Sequence, residues 1–246
     1  MADSKGTEDL SKLAVWLTTP NHIMVEIAKD LGYSKFLLDI EHGLFDLDPT
    51  DRLVAFAKAL GCEVYAKVLG PSAVPIQQAL DMGVDGVIIP HILGVEHARE
   101  VTAVAKYPPL GLRSFAGTRT AKYGGVTQSW YEAENARTKC FPMIESKEAL
   151  ADVEKILALP TVDGCFPGTS DLSLSSGRGA YKNTEEDKRD LKRIAAAAKA
   201  AGKPWIMPAW TRPERAFAEE LGCAWMVVVD ETGALYTGLA QAAKPE

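Results

Sequence analysis

Two carboxylates, Glu145 and Asp171, stand shortly after separate apolar runs of the sequence. Such runs predict buried parallel strands, and the carboxyl ends of parallel strands meet at one face of an α/β fold. Carboxylates from two strand ends can converge on one hard divalent cation such as Mg²⁺ or Mn²⁺, which prefers oxygen ligands. Helix capping or ion pairing is an equally good interpretation of either acid taken alone.

A third acid, Asp39, lies near His42 at the end of another apolar run. The two fit an oriented acid/base pair, in which a carboxylate fixes the imidazole tautomer and the imidazole moves a proton near neutral pH. Strand side chains alternate, so Asp39 and Glu41 share a face and His42 has to reach the site through the turn at Gly43. A packed or capping histidine is the alternative.

The segment Gly168-Thr169-Ser170 leads into Asp171 after a further predicted strand. Backbone N–H groups in such a turn can face a substrate carboxylate near the start of a helix. We therefore predict that Gly168, Thr169 and Ser170 bind substrate.

Lysine and arginine side chains are further candidate site residues, and they carry positive charge. Lys67 ends a predicted strand, where a buried amine can form a Schiff base with a carbonyl or act as an electrostatic contact; borohydride trapping with substrate distinguishes the two. Arg113 and Arg119 fall in a long segment, 107–139, rich in Gly, Ser, Thr and aromatic residues. They can bind an anionic substrate or its aldehyde portion, or make ion pairs between subunits.

The elements that position these residues alternate along the whole chain. Eight strands are predicted, at residues 13–17, 35–40, 63–68, 86–89, 140–144, 164–167, 205–208 and 225–229. Helical patterns separate them, apart from a short helix at 130–137 inside the long segment and a Ser/Gly-rich loop at 168–179. The pattern predicts one single-domain α/β fold, a (β/α)8 TIM barrel over residues 1–246 with a polar tail at about 1–12. An open doubly wound sheet is the alternative, although no GxGxxG follows the first strand.

The composition of the chain argues against a nucleic-acid-binding, membrane or secreted protein. The chain has 246 residues, 47% of them hydrophobic, and a net charge of −6, with no dense basic run that would favour nucleic acid. No apolar stretch reaches the length of a membrane helix, and the polar start does not resemble a secretory signal. Four widely spaced cysteines indicate buried thiols of a reducing compartment, so we expect a cytoplasmic protein.

Taken together, the motifs resemble those of a known family, the HpcH/HpaI class II aldolases. The resemblance covers nearly the whole chain and is carried by Asp39-x-Glu41-His42, Leu80-Asp81-x-Gly83, Pro109-x-Gly111-x-Arg113 with Arg119, Tyr123-Gly124, Glu145, Gly168-x-x-Asp171-Leu172-Ser173 and Val229-Asp230-Glu231-Thr232.

The resemblance implies a carbon–carbon lyase that cleaves or forms 4-hydroxy-2-oxo acids, giving pyruvate plus an aldehyde through an enolate. It implies a divalent cation, Mg²⁺, Mn²⁺ or Co²⁺, held by Glu145 and Asp171. It also implies that His42, held in place by Asp39, moves the proton. It also implies a homo-oligomer, a hexamer or trimer of dimers, in which the last helix packs on a neighbour and Asp81 lies near an adjoining site.

Three positions depart from the usual family pattern or add to it. Lys67 replaces an arginine and keeps the positive charge near the keto oxygen without the two-pronged donor geometry. Met143 replaces a glutamine and removes a polar contact. His91 follows Pro90, as in the family member macrophomate synthase, and can donate to a second carboxylate or carbonyl of the substrate. Oxaloacetate decarboxylation through the same enolate, and a non-catalytic barrel that binds 2-oxo acids, are therefore the alternative functions.

Overall fold

The computed structural model describes residues 9–244 and contains a parallel sheet of eight short strands. The predicted tail at 1–12 lies largely outside the described residues, and Leu10–Lys12 form one turn of 3₁₀ helix. The strands are β1 (Leu13–Leu17), β2 (Lys35–Asp39), β3 (Glu63–Lys67), β4 (Gly86–Ile89), β5 (Lys139–Ile144), β6 (Phe166–Pro167), β7 (Met207–Pro208) and β8 (Met226–Asp230).

The strand order β6-β5-β4-β3-β2-β1-β8-β7 follows the chain around the sheet, and β1 pairs with β8. The remaining gap, between β6 and β7, is closed by a parallel bridge from Cys165 to Trp205, where the Ile206 N–H donates to the Cys165 carbonyl at 3.1 Å. The predicted single-domain (β/α)8 barrel is confirmed, and the open-sheet alternative is wrong.

Eleven α-helices in the described chain surround or cap the sheet. They are α1 (His22–Asp30), α2 (Leu47–Ala59), α3 (Ala73–Asp81), α4 (Val95–Ala103), α5 (Gln128–Arg137), α6 (Lys147–Ala151), α7 (Val153–Leu157), α8 (Thr169–Ser175), α9 (Glu185–Ala201), α10 (Arg212–Glu220) and α11 (Glu231–Ala242). None of the helices within residues 9–244 combines the length and the apolar character that crossing a membrane requires.

Two local expectations differ from the structure. The segment 168–179 is expected as a loop from its Ser and Gly content, but it contains α8. The first hydrogen bond of this helix runs from the Leu172 N–H to the Gly168 carbonyl, at 2.9 Å. A single helix expected at 147–157 is divided into α6 and α7 at Asp152. The carboxylate of Asp152 accepts a hydrogen bond from the Val95 N–H at 3.1 Å, and its backbone leaves the helical conformation.

The barrel interior is filled by side chains that alternate along the strands, since successive strand residues point to opposite faces. Its buried members are Ala14, Leu37, Tyr65, Ile88, Phe141, Met143, Phe166, Ile206, Trp225 and Val227, with Trp16 packed against them. Continuing the same alternation toward the carboxyl ends brings Asp39, Lys67 and Glu145 to inward positions. The interior therefore changes from apolar to charged at the end of the barrel where active sites of this fold lie.

Candidate active site

Lys67 lies at the centre of the charged end of the barrel. It is the last residue of β3 and pairs in register with Asp39, the last residue of β2. Its ammonium lies 3.5 Å from Asp39 Oδ1 and 2.7 Å from Glu41 Oε2, and its side chain is only 7% exposed. The same Nζ stands 5.9 Å from the centroid of the Trp16 ring. A lysine so deeply buried needs these carboxylates to offset the cost of desolvation.

Glu41, to which sequence reasoning gave no role, connects three cationic or titratable side chains. It contacts Lys67, accepts a short hydrogen bond from His91 Nε2, and lies 3.5 Å from His42 Nε2. Burial alone raises the pKa of Glu41, but the Lys67 ammonium and the two histidines outweigh it, so the pKa lies below its usual value. Glu41 is thus a fixed negative charge, and its only sequence signal is that it shares a strand face with Asp39.

His42 reaches the site by the turn that its sequence predicted. A Cβ at Gly43 would lie 2.4 Å from the Asp39 carbonyl and 2.6 Å from the Thr18 carbonyl, so only glycine allows this close approach. Asp39 accepts a hydrogen bond from the His42 backbone N–H at 3.2 Å, and the imidazole lies beside Glu41 instead. In this structure the Asp39 carboxylate therefore contacts the backbone of His42 and not its ring, and the predicted acid/base pairing of the two side chains stays a prediction.

His91 joins this group to the fifth strand. It adopts a left-handed backbone conformation (φ 59°) directly after β4, and its N–H donates to Glu145 Oε1. The ring Nδ1 lies 3.6 Å from the same oxygen, and Nε2 contacts Glu41. The unusual φ turns both the N–H and the ring of His91 toward the two acids.

Glu145 is buried, and its carboxylate lies against the Gly168 turn. A Cβ at Gly168 would lie 2.6 Å from Glu145 Cβ and 2.8 Å from its Oε2, so glycine is required for β6 to pass this close. Burial raises the pKa of Glu145, and the nearby Asp171 charge raises it further, although the His91 N–H and ring act in the opposite direction. Met143 lies one inward position below, buried in the barrel interior.

Thr169, Ser170 and Asp171 form the first turn of α8, directly after β6. Asp171 is exposed, so Glu145 and Asp171 present two neighbouring carboxylates of which one is buried and one open to solvent. A hard divalent cation suits such a pair, since it takes oxygen ligands and fills its remaining positions with water or substrate. Within residues 9–244 no group of three His, Cys, Asp or Glu side chains is arranged to hold a metal.

Arg113 and Arg119 lie elsewhere. The Arg113 guanidinium is fully buried between Asp81 Oδ1, at 2.8 Å, and Glu134 Oε1, at 3.6 Å. Arg119 donates to Asp51 Oδ2 at 2.6 Å and to the Met82 carbonyl at 2.9 Å. Asp81 ends α3 and Met82 follows it before β4, so they belong to the opposite end of the barrel from the Lys67 group. Both arginines are held by acids and carbonyls on the outer wall, away from the barrel mouth of their own chain, and substrate binding by them stays a prediction.

Comparison with known proteins gives the same family as the motifs. The model of the HpcH/HpaI aldolase/citrate lyase family matches residues 12–218. The chain is 34% identical over 207 residues to 2-keto-3-deoxy-L-rhamnonate aldolase of Salmonella paratyphi B, covering 81% of this chain and 76% of that protein.

Solved structures agree in fold. The HpcH/HpaI aldolase of Desulfitobacterium hafniense DCB-2 superposes with a TM-score of 0.87 at 27% identity, covering 94% of this chain and 91% of that one. Macrophomate synthase superposes with a TM-score of 0.81 at 22% identity, covering 94% and 84%, and at this identity shares the fold. With a family match over most of its length and an aldolase relative above 30% identity, the chain belongs to the HpcH/HpaI aldolase/citrate lyase family and is a lyase of the aldolase type.

Proposed function

We propose that this enzyme cleaves 4-hydroxy-2-oxo acids to pyruvate and an aldehyde, or joins them in the reverse direction, with a divalent cation held by Glu145 and Asp171. The observation that carries the proposal is an excess of carboxylate at the barrel mouth. Four acids, Asp39, Glu41, Glu145 and Asp171, lie there, and Lys67 forms ion pairs with the first two. A divalent cation of the Mg²⁺, Mn²⁺ or Co²⁺ type balances that charge and, when bound, supplies Lewis-acid stabilisation of negative charge on a substrate oxygen.

Lys67 supplies the permanent positive charge of the site. Asp39 and Glu41 hold its ammonium in one place, and the indole of Trp16 covers one side of it. A fixed ammonium in a site largely closed to water stabilises charge on an oxygen more than it would in solution. We assign Lys67 to the 2-oxo group, whose oxygen becomes negative as the C3–C4 bond breaks, and the Gly168–Ser170 turn to the substrate carboxylate.

His42 is the proton acceptor in this scheme. Its ring is 66% exposed, so a substrate hydroxyl can approach it, and a positive charge formed on it has Glu41 Oε2 within 3.5 Å. Loss of the C4 hydroxyl proton to His42 converts C4–O to a carbonyl as the C3–C4 bond breaks, and the electron pair stays on the pyruvate portion as an enolate. Protonation at C3 then completes pyruvate.

Oxaloacetate decarboxylation is the second candidate, and His91 favours it. Its ring is 58% exposed while contacting Glu41 and Glu145, so it stands beside the space where a second substrate carboxylate would lie. The electron pair left by departing CO₂ forms the same enolate of pyruvate.

The deciding experiment measures pyruvate release from a 4-hydroxy-2-oxo acid and from oxaloacetate, using EDTA-treated enzyme with and without Mn²⁺, Mg²⁺ or Co²⁺. We expect release only with metal, and the rates on the two substrates rank aldol cleavage against decarboxylation. Metal binding without release from either substrate would contradict the proposal and favour a non-catalytic binder of 2-oxo acids.

We further propose a homo-oligomer, a hexamer or trimer of dimers. Helix α11 presents large apolar side chains to solvent: Leu235, Tyr236 and Leu239 are 56%, 77% and 72% exposed. Exposed apolar faces of this kind mark surfaces that associate, and a second copy of the chain fits the family resemblance. Light scattering should give a multiple of 26.6 kDa, and Leu239→Glu should lower it.

The free cysteines, three of them buried, support a reducing, cytoplasmic setting.

A further inference from the structure

Three aromatic rings extend outward from the charged end of the barrel. Phe166 on β6 lies 6.2 Å, centroid to centroid, from Trp16 on β1, and Trp16 lies 6.1 Å from Trp210, which follows β7. The two tryptophans meet edge to face, at an interplanar angle of 64°. Phe166 is buried, Trp16 is half-buried, and Trp210 is 43% exposed. The rings thus form a continuous apolar wall from the interior to the mouth.

The wall begins at the position assigned to the reacting carbons. Trp16 covers the Lys67 ammonium at 5.9 Å, and Phe166 precedes Pro167 and Gly168, which packs on Glu145. A substrate whose 2-oxo end is held by these charged groups therefore has Trp16 beside it and Trp210 farther out. If the substrate extends from the charged groups toward the mouth along this wall, the portion that becomes the aldehyde lies beside Trp210.

The backbone on both sides of Trp210 is anchored. The Ala209 N–H donates to the Val227 carbonyl at 2.8 Å, and the Ala209 carbonyl accepts from Arg215 Nε at 3.2 Å. On the other side, the Thr211 N–H donates to Glu214 Oε2 at 2.8 Å in a capping box that starts α10. The backbone that carries the indole is consequently held in place before anything binds, and the ring contact with Trp16 orients the indole, which lowers the ordering cost of a contact with it. An exposed tryptophan on a fixed loop has a free apolar face and one N–H donor.

We propose that Trp210, with Trp16 behind it, is the specificity-determining wall for the aldehyde portion, so that the enzyme prefers 4-hydroxy-2-oxo acids carrying an aromatic or bulky apolar group at C4. A ring or branched alkyl group packs on the indole face, whereas a polyhydroxylated chain there loses water without regaining its hydrogen bonds. The inference rests on the proposed aldol cleavage and names its substrate class.

The test compares kcat/KM for 4-hydroxy-2-oxo-4-phenylbutanoate with that for 4,5-dihydroxy-2-oxopentanoate, in the unaltered metal-loaded enzyme and in three variants. We expect the phenyl substrate to be preferred. Trp210→Ala should reduce that preference on the order of tenfold, mainly through KM of the phenyl substrate, and Trp210→Phe should retain most of it. Trp130→Ala is the matched control, since Trp130 packs with Tyr107 and Tyr131 on the outer wall.

An unchanged preference in Trp210→Ala, or an equal change in Trp130→Ala, would overturn the assignment. Deuterium exchange at C3 of pyruvate separates this failure from failure of the proposed function, because it reports enolate formation without any aldehyde portion. Exchange without a preference for the phenyl substrate contradicts only the role of Trp210. Absence of both exchange and cleavage in the unaltered enzyme overturns the proposed function and this inference with it.

Discussion

Two groups of charged side chains lie at opposite ends of this barrel, and they differ in charge balance. The outer-wall cluster has three acids and three bases: Lys58 lies 2.7 Å from Asp85, Arg113 lies 2.8 Å from Asp81 and 3.6 Å from Glu134, and Arg137 lies 2.8 Å from Glu134. The barrel-mouth cluster has four acids, Asp39, Glu41, Glu145 and Asp171, and Lys67 pairs with the first two. Acids and bases are equal in number in the first cluster, whereas the proposed metal would balance the charge of the second.

The pKa values of one glutamate from each cluster express the same difference. Burial acts to raise the pKa of Glu134, but Arg137 and Arg113 outweigh it and the pKa is lowered. Burial raises the pKa of Glu145, Asp171 adds to the effect, and the pKa stays raised. Ion pairing within the fold stabilises the charged form of the first carboxylate, whereas burial disfavours the charged form of the second, as is common at functional sites.

The largest effect is expected from Glu145→Gln. Loss of one of the two proposed protein ligands for the cation should lower metal-dependent kcat/KM by about 10³-fold or more. The unfolding free energy of the metal-free protein should stay the same or rise, because a buried carboxylate with a raised pKa is removed. Steady-state pyruvate release and urea denaturation measure the two quantities. Glu148→Gln, at an exposed position of α6, is the control.

Retention of more than about one tenth of the activity in Glu145→Gln would remove Glu145 from the proposed ligands, since loss of a ligand is expected to cost far more.

The second prediction is the converse result for Glu134→Gln. This change removes the nearest carboxylate of Arg137 and one of the two acids that face the buried Arg113, while Asp85 and Asp81 remain. It should lower the unfolding free energy by about 1 kcal/mol, because the two arginines keep a partner and Arg137 is partly exposed. Turnover per folded molecule should stay within about twofold, since Glu134 belongs to the wall and not the mouth. A large loss of kcat at unchanged stability would show that the two clusters are coupled.

The smallest expected effect is on the pH dependence of stability. The difference in stability between the unaltered protein and each of the two variants should change with pH in opposite directions. A carboxyl with a lowered pKa contributes stability that is present above its ordinary value and lost as pH falls through its folded pKa. The stability difference between the unaltered protein and Glu134→Gln should therefore shrink below about pH 4.5. For Glu145 the sign reverses: relative to Glu145→Gln, the metal-free protein should lose stability as pH rises above 4.5, because the folded state holds the carboxyl proton more tightly than the unfolded state does. Parallel pH profiles for the two variants would contradict the proposed difference.

Much of the fold was predictable because it depends on local patterns. Apolar runs and their alternation with helical segments predicted all eight strands. The same strands predicted that Asp39, Lys67 and Glu145 lie at their carboxyl ends. Helix α8 was missed, because Ser and Gly have low helix propensity and its position depends on Gly168 packing against Glu145, which is distant in sequence.

The partners of individual charges were less predictable. Glu41 could be placed on the face of Asp39, but its contacts come from β3 and from the loop after β4. Arg113 and Arg119 have the residue type of an anion site, yet their acids lie on α2, α3 and α5. Residue type alone does not show whether an arginine already has its counter-charge within the fold.

The seam between β6 and β7 is the part of the barrel that we expect to open locally most easily. Each of these strands has two residues, and a single bridge at Cys165 and Trp205 joins them, whereas β2 and β3 pair over five residue positions. Amides with so few supporting bonds open at lower free-energy cost, so hydrogen exchange should begin at Cys165 and Ile206 while β2 and β3 stay protected. Gly168 and Trp210 follow these two strands, so the proposed carboxylate-binding turn and the proposed aromatic wall both begin at this seam.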